Sequence, residues 1–132
     1  MLYPLFTGLA TEKQAERTIE NLVKIELPYG LSSCEKRYDL LNVQWDYPHV
    51  WPPLQMIAIK ALLRYGYEAD AKRIARKYLD VAELNFEKHG RLWEKYNGID
   101  GEISVTKEYT TPPMMGWSAA TYLYCDKLVG VC

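Results

Sequence analysis

The stretch "QWDYPHVW", residues 44 to 51, sets two indoles, an amide and a carboxylate close together. Indole rings stack on the apolar face of a pyranose, and amide and carboxylate groups bond its hydroxyls. Trp45, Trp51, Gln44 and Asp46 are therefore candidate sugar ligands. The competing reading is a buried aromatic corner, with Asp46 capping a helix or pairing with an arginine. In "LWEKYNG", Glu94 stands between Trp93 and Tyr96. An ionised carboxylate flanked by aromatics can act as general base on water. Its bland alternative is a surface Glu94–Lys95 corner at the end of a hairpin. A third stretch, "EYTTPPMMGW", brings Glu108, Tyr109 and Trp117 around a proline pair, with Met114 and Met115 read as core filler.

Elements must hold these residues in place. Pro48, Pro52 and Pro53 fix φ and remove amide donors, so the first stretch is a stiffened turn leading into regular structure. Upstream, Thr11 with Gln14 predicts a capping box opening a first helix, with Ala15, Ile19, Leu22 and Val23 on one face. Pro28 and Gly30 close that element, and residues 29 to 42 read as a connecting loop without a strand. A second helix starts at Pro52 or Pro53 and ends at Gly66, presenting Leu54, Ile57, Ala58, Ala61, Leu62 and Tyr65. The third runs from about Glu68 to Gly90, striped by Ala71, Ile74, Ala75, Tyr78, Leu79, Ala82 and Phe86. Residues 91 to 113 are irregular, and "GWSAATYLYCDKL" forms a fourth helix. The expected fold class is all-α, antiparallel helical hairpins with long loops before the second and fourth helices. Binding groups commonly sit on such loops.

Composition excludes several function classes. The chain of 132 residues has a formal charge of −1, with basic and acidic residues interspersed, unlike a nucleic-acid binder. Cys34, Cys125 and Cys132 form no close pair and read as isolated thiols, and His49 and His89 lie far apart. A disulfide framework, a metal site and a cofactor are not expected. "MLYPLFTGLA" lacks a basic n-region and is too short to span a bilayer, with Pro4 and Gly8 interrupting its apolar run. No membrane partner is expected, and a soluble, reducing, cytoplasmic location is the default.

Taken in order, the three stretches resemble the C-terminal part of the trehalase family of glycoside hydrolases. That family carries a QWDxPxxWxP signature, matched by "QWDYPHVWPP" at 44 to 53. A helix–Gly–Tyr/Phe hairpin follows, matched by "LLRYGYEADAKRIARKYL", and then EKY, matched by Glu94, Lys95 and Tyr96. "KEYTTPPMMGW" and "YPLFTGLATEKQAER" are similar to two further family segments, so the likeness covers nearly the whole chain. The resemblance implies an inverting hydrolysis of α,α-trehalose to glucose inside an (α/α)6 toroid, of which residues 1–132 would be a C-terminal part. It implies Glu94 as general base, Gln44, Trp45, Asp46 and Trp51 lining the sugar pocket, and Glu108 as a second acidic position. Trp117, in the matched GW pair, is expected with Glu108 among the substrate-binding residues.

The family's general acid is an aspartate in an upstream GWDxSSR-like segment that nothing here matches. The chain is therefore expected to be a fragment, a truncated product or one piece of a split protein, inactive by itself. Its partners would be trehalose or a related α-glucoside, with a complementary N-terminal segment or self-association through exposed apolar faces. Two other readings compete: a toroidal α-glucosidase acting on another α-glucoside, toward which "MGWSAATYL" leans, and a non-catalytic helical remnant binding sugar or a partner.

Overall fold

The computed structural model of the protein describes residues 2–36, 43–113 and 116–130. Met114, Met115, Cys132 and the end of the expected loop at 37–42 lie outside the described residues. Among the described residues the α-helices are α1 (Tyr3–Thr7), α2 (Glu12–Glu20), α3 (Pro52–Arg64), α4 (Glu68–His89) and α5 (Gly116–Val129). Two antiparallel ladders of two-residue strands tie the loops: β1 (Glu26–Leu27) with β2 (Gly30–Leu31), and β3 (His49–Val50) with β4 (Tyr96–Asn97).

Local chemistry explains the boundaries. The capping box forms: Gln14 N–H donates to the Thr11 hydroxyl at 3.3 Å, and Thr11 N–H donates to Gln14 Oε1 at 2.8 Å. Pro52 opens α3, where a missing amide removes no helical bond. Gly90 ends α4 in the left-handed region at φ 68°, where a side chain would be strained.

The α3–α4 hairpin makes the core. Ala58, Ala61, Ala71, Ala75 and Ala82 are fully buried and let backbones approach, while Ile59, Leu62, Ile74, Tyr78 and Leu79 fill the space between them. Fully burying each of the larger side chains is worth about 1.5–3 kcal/mol. α5 packs on both α3 and α4, and α1 lies on α3. Tyr78, wholly buried, satisfies its hydroxyl by donating to Ser118 C=O at 3.0 Å.

Several expectations are corrected. The apolar run that Pro4 and Gly8 would interrupt is the helix α1, with Pro4 at its start and Gly8, at φ 77°, capping its end. The segment around Pro28 is a β1–β2 hairpin and not a plain loop. Val23 is 76 % exposed because α2 stops at Glu20 and the chain tightens into a 3₁₀ turn over Leu22–Lys24. Phe86 is 55 % exposed, and α4 instead buries Val81 and Asn85. Asn85 lies beneath the turn at Gly101, whose carbonyl accepts from Asn85 Nδ2 at 2.7 Å. On α3 the buried positions include Gln55 and Ile59, with Leu54, Ile57 and Tyr65 half-buried.

Candidate active site

The loop before α3, the segment after α4 and the segment before α5 are stitched together by backbone pairing. β3 pairs with β4, Trp93 bridges to Pro113, and Glu94 N–H donates to Pro112 C=O at 3.2 Å. Gly98 makes the closest approach. A Cβ there would lie 2.6 Å from Leu27 and 2.8 Å from Val50, while its own N–H donates to Pro48 C=O at 3.0 Å. Only hydrogen fits where the two ladders meet. His49 Nδ1 and the Ser104 hydroxyl are hydrogen-bonded deep in the same region.

Gln55, fully buried on the first turns of α3, binds the backbone of Leu31 on both sides. Its Oε1 accepts from Leu31 N–H and its Nε2 donates to Leu31 C=O, each at 2.8 Å. One amide side chain thus does for β2 what a neighbouring strand would do.

Most of the candidate residues gather. Gln44 N–H donates to the Glu108 carboxylate, and Gln44 C=O accepts from Trp51 Nε1 at 2.9 Å. Gln44 Oε1 lies 3.0 Å from the Tyr109 hydroxyl, which also bonds Glu94 Oε2. Lys95 Nζ donates to Glu94 Oε2 at 2.9 Å and to the Tyr109 oxygen at 2.8 Å. Trp45 stacks on Trp51 with ring centroids 4.0 Å apart and planes 11° apart, and Trp117 meets Trp51 edge-on at 6.0 Å. Trp45 is half exposed, and Glu108 is exposed.

Two residues stand differently from expectation. Trp51 is only 2 % exposed, sandwiched by Trp45 on one side and approached by the Lys95 ammonium at 5.2 Å, so it packs and has no open face for a sugar. Asp46 is buried in the turn, where its Oδ1 accepts from Tyr47 N–H at 2.8 Å and from the Cys34 thiol at 3.3 Å. That contact and burial hold the Cys34 thiol above its usual range: burial contributes most, then the Asp46 carboxylate. Cys34 is half-buried and Cys125 buried, both as free thiols.

The surface reading of the Glu94–Lys95 corner is excluded by burial, with Glu94 8 % and Lys95 0 % exposed. A buried ammonium is costly unless matched by charge and hydrogen bonds. Here it has the Glu94 carboxylate, the Tyr109 oxygen and the faces of Tyr109 and Trp51 at 4.1 and 5.2 Å. Tyr109 keeps its proton far beyond the ordinary phenol range, first because of burial, then because of the Glu94 and Glu108 carboxylates. Lys95 and Tyr109 were not among the expected site residues. Their signal was present: a lysine and a tyrosine each directly follow one of the two candidate carboxylates.

A mainly helical array of antiparallel hairpins that gathers carboxylates and indoles at its loops has known counterparts. The solved neutral trehalase Nth1 from Saccharomyces cerevisiae superposes with a TM-score of 0.81 at 32 % identity, covering 96 % of this chain and 22 % of that one. A mannosylglycerate hydrolase from Thermus thermophilus shares the fold, with a TM-score of 0.67 at 21 % identity over 93 % of this chain and 28 % of its own. The fold is accordingly an arc of an (α/α)6 toroid. A sequence model of the Trehalase family matches residues 1–130, and the chain belongs to that family. It is 35 % identical to the periplasmic trehalase of Pseudomonas aeruginosa over 98 % of its own length, but spans only 24 % of that relative. A probable trehalase of Saccharomyces cerevisiae is 39 % identical over 107 residues. Among the described residues no helix is long and apolar enough to cross a membrane.

Proposed function

We propose that this chain forms the general-base side of an inverting glycoside hydrolase that cleaves α,α-trehalose to glucose, as the C-terminal part of a toroidal catalytic domain. The observation that supports it most is the setting of Glu94: nearly enclosed, held through one oxygen by Lys95 and Tyr109, with Gln44 Oε1 of the signature turn 3.0 Å from the same Tyr109 hydroxyl.

In this reading the exposed ring of Trp45 stacks on a glucosyl unit, while the Gln44 amide and the Glu108 carboxylate take its hydroxyls. Trp51, itself met edge-on by Trp117, holds the ring of Trp45 in place. Asp46 sets the turn from within. Glu94 accepts a proton from a water as that water's oxygen bonds the anomeric carbon. A carboxylic acid on the opposite side, supplied from outside these 132 residues, protonates the departing glycosidic oxygen. Inversion requires the two carboxyl groups to be roughly 6.5–9.5 Å apart, leaving room for the water. The thiols of Cys34 and Cys125 support a reducing, cytoplasmic setting, although the relatives' names divide between periplasmic and cytosolic. Exposed Phe86 on α4 and Leu123 on α5 support covering by a complementary segment or a second copy.

The test is glucose release from a panel of α-glucosides by the 132-residue chain, with and without a polypeptide carrying the GWDxSSR-like segment. Trehalose should be cleaved only in the mixture. Cleavage of a different α-glucoside in preference would move the substrate and keep the mechanism. Robust release by the chain alone would overturn the missing-acid reading, and no sugar turnover in either case would leave a non-catalytic binding module.

A further inference from the structure

The two oxygens of Glu94 are not equivalent. Oε2 accepts from Lys95 Nζ at 2.9 Å and from the Tyr109 hydroxyl, whereas Oε1 accepts no hydrogen bond among the described residues. About a tenth of the Glu94 side chain remains exposed, so water can reach it. Lys95 also donates to the Tyr109 oxygen at 2.8 Å, closing a ring of three bonds among ammonium, phenol and carboxylate. A ring of that kind fixes the carboxylate's plane as well as its position.

Tyr109 has one proton and two nearby acceptors, Glu94 Oε2 and Gln44 Oε1. Hydrogen bonds to an ionised acceptor are roughly twice as strong as neutral ones, so the proton goes to Glu94. Gln44 Oε1 then keeps acceptor capacity for a ligand hydroxyl. The ammonium cannot drift away, being fully buried and lodged against the rings of Tyr109 and Trp51. The charged groups around the Tyr109 hydroxyl are Glu94 and Lys95 from the segment after α4 and Glu108 from its own segment.

We propose that Lys95 and Tyr109 are positioning residues that bind Oε2 of Glu94 from two sides, making Oε1 the oxygen that takes the proton from the attacking water. This rests on the reading of Glu94 as general base. A merely structural ion pair would predict something else: removing the Tyr109 hydroxyl would then lower stability a little and leave turnover alone.

Two measurements decide it. In a protein that includes the acid-bearing segment, Tyr109→Phe should lower kcat for trehalose about 10- to 100-fold, the scale of a catalytic group misplaced by an ångström, with KM held. A loss confined to kcat marks an interaction that matters only as the reaction proceeds. Full kcat in Tyr109→Phe, alongside an inactive Glu94→Gln, overturns the positioning role and leaves the base in place. An active Glu94→Gln overturns the base reading and the positioning role with it. The second measurement needs no turnover and no Tyr109 variant. In the chain labelled at tyrosine Cζ, the Tyr109 ring carbon should titrate at lower pH in Glu94→Gln than in the unmodified chain. Identical titrations would show that its hydroxyl is not bound to that carboxylate, and the proposal would fall.

Discussion

The α3–α4 interface and the loop cluster at Glu94 are both buried, but they are held by opposite means. Between the helices, alanines alternate with Ile59, Leu62, Ile74 and Leu79, and each contact is non-directional. In the cluster, Glu94, Lys95, Gln44, Tyr109 and Glu108 hold one another through a few directional bonds. Apolar packing degrades gradually as volume is removed. A buried ion pair does not, since losing one partner leaves an uncompensated charge. The helices therefore give a tolerant frame, and the polar cluster gives a fixed geometry.

Substitutions on the two sides test that contrast. Lys95→Ala leaves Glu94 buried without its counter-charge and should destabilise by about 3–5 kcal/mol, read from urea midpoints with the slope unchanged. Gln55→Ala strips both partners from the buried Leu31 backbone and should cost about 1–3 kcal/mol. Ile74→Val, which removes a single carbon inside the helix interface, should cost only about 0.5–1.5 kcal/mol. If Lys95→Ala proves no worse than Ile74→Val, the cluster is not held as described.

The smallest effect concerns acid. Glu26 on β1 accepts from Arg73 at 3.0 and 3.1 Å and pairs with Lys77 at 2.7 Å, tying the β1–β2 hairpin to α4. Burial pushes its carboxyl up, yet the two cations outweigh burial and hold it below the ordinary 4.5. A depressed folded value means the pair's stabilisation is present above that ordinary range and is lost as pH falls through and below it. Glu26→Gln should accordingly lower the melting temperature slightly at neutral pH, with the gap to the unmodified chain closing on acidification. A gap that widens in acid would reverse the sign.

What was legible in the sequence follows the same division. Helices α2 to α5 were readable because caps, prolines, glycines and apolar spacing are local signals. α1 escaped because Pro4 and Gly8 look like interruptions, although they are a start and a stop for a helix this short. Val23 and Phe86 misled because periodicity assumes a continuous helix with a neighbour along its whole length. At the site, Gln44, Trp45, Glu94 and Glu108 stood out by type, and motif order joined them. Lys95 and Tyr109 did not stand out, since a lysine beside a glutamate reads as surface until burial is known. Trp51 was read as a sugar platform because nothing in its own stretch says that Trp45 and Lys95 occupy its faces.

One substitution asks directly whether Glu94 activates water. In a protein that includes the acid-bearing segment, Glu94→Gln keeps the shape of the side chain and removes its basicity. Hydrolysis of trehalose should fall by about 10²–10⁴-fold, the usual worth of general acid–base assistance, while the affinity for trehalose stays close to that of the unmodified protein. Turnover at the unmodified rate by Glu94→Gln would contradict it and remove Glu94 from the chemistry.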